Sequence, residues 1–83
     1  MSTRLDGNAL AGPMSEIFGR DMTAVIGRCR NCGDASELAR TMVYPDAPGI
    51  VVRCPGCREV LFTLVHARGR TLIGFGTIAG LQG

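Results

Sequence analysis

The chain has 83 residues, four cysteines and a formal net charge of +2, a size that allows one small hydrophobic core and no second. Its nine basic residues are all arginine, set against seven acids, and its only aromatic residues are one tyrosine and three phenylalanines. That balance argues against a general affinity for polyanions or stacked bases, and no apolar run approaches the ~20 residues needed to cross a bilayer.

The opening Met1-Ser2-Thr3-Arg4-Leu5-Asp6-Gly7 lacks the basic start and apolar run of a signal peptide. The chain therefore reads as cytoplasmic, with its thiols kept reduced. Within residues 5–18, Leu10, Met14, Ile17 and Phe18 recur at the spacing of one helical face. Asp6 or Asn8 suits the start of this helix and Gly19 its end. Gly12-Pro13 interrupts the pattern, so residues 8–18 form either one kinked helix or two short turns. The stripe either packs on the chain's own sheet or docks on a partner, because so small a domain has little sheet to cover. This N-terminal helical segment occupies residues 1–22.

Residues 23–83 read as strands. Thr23 to Arg28 leads into the turn Cys29-Arg30-Asn31-Cys32-Gly33, and Leu38 to Tyr44 suits an exposed strand. Asp46-Ala47-Pro48-Gly49 has turn chemistry, with proline presetting φ and glycine allowing φ > 0. Ile50 to Arg53 then delivers the turn Cys54-Pro55-Gly56-Cys57-Arg58. Val60 to His66 is rich in β-formers, Ala67 to Arg70 resembles a hairpin loop, and Thr71 to Ile78 is the returning strand. Glycines alternating along that last strand leave one face bare, where another backbone can come close. Ala79 to Gly83 is expected to fray.

Two C-x2-C turns offer four thiolates to one ion, and the 21 residues between them suffice for a strand out and a strand back. A sulfur-only tetrahedral set at Cys29, Cys32, Cys54 and Cys57 is the geometry of a single structural Zn2+. The fold class expected is a small α+β, mainly β zinc ribbon with antiparallel strands and an N-terminal helical segment. Zinc also supplies the staple that so short a chain needs. Iron is the alternative, since C-x2-C-G followed by C-P-x-C also holds the single iron of rubredoxins. Those domains surround their iron with aromatic side chains that this chain lacks. Disulfides or redox-active thiols are the remaining uses of four cysteines.

Four sulfur ligands leave no open metal position for water or substrate, so an enzyme is not expected. The only histidine, His66, falls in a strand, where a half-exposed structural residue is the ordinary reading. Asp34, Glu37, Asp46 and Glu59 are scattered and read as solvated surface. Arg28, Arg30, Arg53 and Arg58 flank the cysteine turns. They either offset the centre, whose four thiolates and divalent ion carry a net charge of about −2, and donate to its exposed sulfurs, or present a cationic tip to an acidic protein surface or, second to that, to nucleic acid.

The stretch Leu5-Asp6-Gly7-Asn8-Ala9-Leu10-Ala11-Gly12-Pro13, together with Tyr44-Pro45-Asp46-Ala47-Pro48-Gly49 and Arg53-Cys54-Pro55-Gly56-Cys57, resembles a small actinobacterial zinc-ribbon family of uncharacterised function. The likeness runs over nearly the whole chain. Ribbon formation by itself does not call for the distinctive LDGNALAGP start, which makes it the leading candidate for a binding element. The resemblance further implies an accessory protein encoded beside a molybdopterin or flavin oxidoreductase. The expected function is thus a non-catalytic adaptor that docks on a larger protein, such an oxidoreductase being the partner the resemblance suggests. Leu5, Asp6, Asn8, Leu10, Met14, Ile17 and Phe18, with Arg28, Arg30 and Arg58, are its expected contact residues. The alternatives are a nucleic-acid-binding ribbon and a rubredoxin-like one-iron electron carrier.

Overall fold

β-Branched and aromatic residues are enriched in the second half of the chain, and short antiparallel strands dominate its architecture. The computed structural model describes residues 5–46 and 49–82. Its elements are β1 (Leu5–Asp6), a 3-10 turn (Gly7–Leu10), α1 (Ala11–Phe18), β2 (Ile26–Cys29), β3 (Ala35–Glu37) and a second 3-10 turn (Leu38–Arg40). There follow β4 (Met42–Asp46), β5 (Gly49–Arg53), β6 (Val60–Ala67), β7 (Arg70–Phe75) and β8 (Ile78–Gln82). They build a five-stranded sheet in the order β1-β4-β5-β6-β7 and a three-stranded sheet in the order β3-β2-β8. Every pairing is antiparallel. The result is the small ribbon-like α+β fold expected.

One core serves the whole domain. Leu10 and Met14 from the N-terminal segment are buried with Leu38, Val43, Val52, Leu61, Phe62 and Leu64. Met22 and Val25, on either side of the expected boundary at residue 22, share that core. The apolar stripe thus packs on the chain's own sheets: Leu10 and Met14 are fully buried, Ile17 is half-buried against the core, and Phe18 is exposed. The helix enters through its 3-10 turn, where the Asp6 carboxylate accepts from the Asn8 N–H at 3.0 Å. It ends at Gly19, whose φ of 72° is the left-handed cap.

The structure gives the LDGNALAGP start a folding role. Leu5 and Asp6 pair with Val43 and Met42, and Leu10 fills the core. Gly7 lies so close to the Leu38–Ala39 backbone that a Cβ would collide with the Leu38 carbonyl. The motif seats one 3-10 turn on the other, a folding role in addition to the binding role expected of it.

Three expectations are corrected. Leu38 is not in an exposed strand but fully buried in a 3-10 turn, and the strand starts at Met42. Thr71 to Ile78 is not one strand: β7 stops at Phe75, and β8 leaves to pair with β2. The break lies at Gly76, where a Cβ would strike the Val60 carbonyl, so another backbone does approach there. Residues 79–82 accordingly lie in a paired strand and do not fray, and Gly83 lies outside the described residues. The expected turn at residues 46–49 joins β4 to β5, whose register sets Asp46 opposite Gly49. Ala47 and Pro48 lie outside the described residues. No helix among the described residues is long and apolar enough to cross a membrane.

Candidate metal centre

Each cysteine pair follows a strand and sits in a turn closed by two backbone hydrogen bonds. β2 delivers Cys29, whose N–H donates to Asp34 O at 2.8 Å while the Gly33 N–H donates to Cys29 O at 2.9 Å. β5 delivers Cys54, whose N–H donates to Glu59 O at 2.9 Å while the Arg58 N–H donates to Cys54 O at 2.9 Å. The fifth residue of each turn must then be left-handed. Gly33 has φ 78° and Arg58 has φ 68°. Inside the second turn the Gly56 N–H points at Cys54 Sγ, 3.3 Å away.

The turns bring the four sulfurs together, all within 4.8 Å of one another. Cys29 Sγ lies 3.7 Å from Cys57 Sγ, and Cys32 Sγ lies 3.6 Å from Cys54 Sγ. A tetrahedron with metal–sulfur bonds of ~2.3 Å has edges of about 3.8 Å, so these separations fit an ion at the centre. They are far from the ~2.05 Å of a disulfide. Cys29 and Cys54 are buried, Cys57 is intermediate and Cys32 is exposed. The centre thus has two sulfurs in the core and one open to solvent. A donor set of thiolates alone suits the softer ions, zinc, iron or copper(I), over magnesium or calcium. The four cysteines expected to ligate are the four the fold assembles.

The two inner sulfurs differ in character. Burial pushes the Cys29 thiol up, but the N–H groups of Cys32 and Asn31, the Thr77 hydroxyl and the Cys57 thiol outweigh it and bring it down to about 6. Burial pushes Cys54 up as well, and there it prevails over the N–H groups of Cys57 and Gly56. The Asp34 N–H favours the Cys32 thiolate, yet partial burial and the crowd of neighbouring sulfurs lift it to about 12.

The arginines do not bond the sulfurs. Arg30 donates to Gly76 O at 3.3 Å through its guanidinium and to Thr77 O at 2.7 Å through its N–H. Arg53 donates to Arg58 O at 2.9 Å, and its guanidinium lies 5.8 Å from the centre of the Tyr44 ring. Arg28 and Arg58 are exposed. Among the described residues the only contact between an acid and a base is His66 with Glu16 at 4.0 Å, both well exposed, so no arginine is neutralised by an ion pair. His66 stands on β6 beside Thr71, apart from the sulfurs.

Sequence reasoning missed two supports of the centre. Thr77, whose hydroxyl lies 3.6 Å from Cys29 Sγ, is 48 residues away along the chain, and nothing local marks it. Arg53 was legible as a flanking charge, but its bond to the Arg58 carbonyl depends on the left-handed turn. The model of the Family of unknown function (DUF6510) matches residues 1–83, and the chain belongs to that family. No curated protein and no solved structure matches it.

Proposed function

We propose that this DUF6510 member is a non-catalytic docking module of the cytoplasm. Cys29, Cys32, Cys54 and Cys57 would hold one structural Zn2+, and the outer surface would engage a larger protein. The observation that carries this reading is the set of four converging sulfurs, which fills every tetrahedral position and leaves none for water or substrate. When bound, the ion supplies the cross-link that fastens β2 to β5.

The docking surface excludes Leu10 and Met14, which are spent in the core. Leu5 and Phe18 are exposed at 42% and 40%. Leu5 and Asp6 line a shallow groove of about 280 Å³ with Arg40, Thr41 and Met42. Asn8 and Ile17 flank these residues in sequence. Arg28, Arg30 and Arg58 have no ion-pair partner among the described residues, which favours an acidic protein surface. Resemblance points to a molybdopterin or flavin oxidoreductase as that protein.

The test is affinity capture of the tagged chain from its native host with metal analysis of the eluate. One zinc per chain and a stoichiometric oxidoreductase subunit are expected, the subunit being lost with Phe18→Asp or Arg30→Glu while zinc is kept. Zinc without any protein would remove the docking role. A red, iron-loaded chain that reduces reversibly would replace it with electron transfer. Retention on DNA or RNA that falls steeply with salt would replace it with nucleic-acid binding.

A further inference from the structure

β7 is an edge strand, and among the described residues nothing pairs with its outer side. Ala67 pairs with Arg70 across the two-residue loop Arg68-Gly69, whose φ angles of 53° and 74° are those of a primed hairpin turn. Such a loop is closed by a hydrogen-bonded pair, and hydrogen-bonded pairs alternate along the ladder. Arg70, Leu72 and Gly74 therefore bond to β6, and Thr71, Ile73 and Phe75 turn N–H and C=O outward. Gly76 keeps the rhythm, its N–H donating to Leu61 O at 2.8 Å.

This edge has little of the usual protection: its one charge is Arg70 at the loop end, and α1 touches it where the Thr71 hydroxyl donates to Glu16 at 2.8 Å. It carries no proline, lysine or bulge, and its Leu72 and Phe75 are exposed at 52% and 70%. We propose that β7 pairs antiparallel with β7 of a second copy of the chain, about a two-fold axis at Ile73, making one continuous sheet of the two five-stranded ones. Residues opposite each other in an antiparallel pair must share a sheet face, and here both must also turn their bonding groups outward. Ile73 opposite Ile73 and Thr71 opposite Phe75 meet both conditions and use every outward group.

The side chains agree with that register. Leu72 falls opposite Gly74 of the second copy, so its side chain covers a bare backbone, and the symmetry repeats the fit. Arg70 falls opposite Gly76 of the second copy, whose carbonyl already accepts from that copy's Arg30, so charge does not favour the register. One strand pair and two apolar side chains per copy fall short of the ~1,600 Å² of a standard interface. The dimer is accordingly reversible, dissociating in roughly the micromolar to millimolar range.

Sedimentation equilibrium of the metal-loaded chain tests this. The mass is expected to rise from 8.8 kDa towards twice that value over roughly 10 μM to 1 mM. Leu72→Lys and Phe75→Lys, both at exposed positions, should each weaken association at least about tenfold with metal content and melting unchanged. Amide exchange at Thr71, Ile73 and Phe75 should slow as concentration rises. A mass fixed at 8.8 kDa throughout would overturn the proposal. So would a dimer indifferent to both lysines, protection confined to other strands, or an edge that pairs only with an added foreign peptide.

Discussion

The turn at Cys29–Gly33 and the turn at Cys54–Arg58 close with the same two hydrogen bonds, yet one places glycine and the other arginine at the left-handed position. Glycine adopts that conformation freely, whereas an L-residue such as arginine gives up roughly 1–2 kcal/mol there. Gathering four sulfurs therefore dictates the backbone, and local preference yields to it. The second turn has compensation that the first does not need, since Arg53 bonds the carbonyl of the strained residue. Protonation separates the two inner sulfurs as well. Cys29, with the Thr77 hydroxyl beside it, sits near 6, while burial keeps Cys54 above its ordinary value.

The largest expected effect asks whether the turns are equal partners. Cys54→Ser and Cys29→Ser should each lose stoichiometric metal and loosen the fold, because structural zinc supplies an apparent ~10–16 kcal/mol. Metal analysis and circular dichroism check this. Full metal with unchanged melting in either variant would break the four-sulfur centre, and unequal losses would show which turn dominates.

Acidity gives the next effect. In the metal-free chain Cys32 at about 12 and the raised Cys54 both carry protons at neutral pH. Cys29, at about 6, has already lost its own. Binding above that pH therefore displaces at least two protons, so apparent affinity should rise by at least about 100-fold per pH unit. Going down, it falls with that slope and then more steeply once Cys29 reprotonates. Competition titrations at several pH values measure the slope, and a flat profile would contradict the protonation contrast.

Smaller effects probe the left-handed position itself. A Cβ at residue 33 meets nothing within 4 Å, so Gly33→Ala should cost only backbone strain, about 1–2 kcal/mol. Arg58→Gly should have the opposite sign, a gain of up to about 1 kcal/mol limited by the added freedom of the unfolded chain. Melting at fixed free metal, where ~1 kcal/mol moves a domain of this size by about 4–8 °C, reads both. Equal shifts of the same sign would mean that the turns are not conformational twins.

The parts of this molecule legible in its sequence are those decided locally. Cysteine spacing, the β-rich run from Val60, the primed loop at Arg68-Gly69 and the Gly19 cap each carry their signal within a few residues. What escaped reading is decided by distant contacts. Leu38 looks like the start of a strand, but Gly7 and Val25 fold it inward: its carbonyl crowds Gly7, and its N–H donates to Val25 O at 2.9 Å. Gly76 looks like one more strand residue until the Val60 and Leu61 carbonyls meet it. Thr77 shows no local sign that it stands beside a ligand. The N-terminal motif hides its folding role for a related reason, because Gly7 seats on a turn some thirty residues further along.

The pairing of β2 with β8 also bears on how the chain assembles. Cys29 and Thr77 are separated by 48 residues, and closing so long a loop delays folding. Ligation fixes Cys57 beside Cys29 and leaves only the stretch from Cys57 to Thr77 to be searched. That shortening, a little more than one halving, lowers the entropy cost of closure by about 0.6–0.8 kcal/mol. A bound ion would thus ease assembly of the three-stranded sheet as well as rivet the two cysteine turns together.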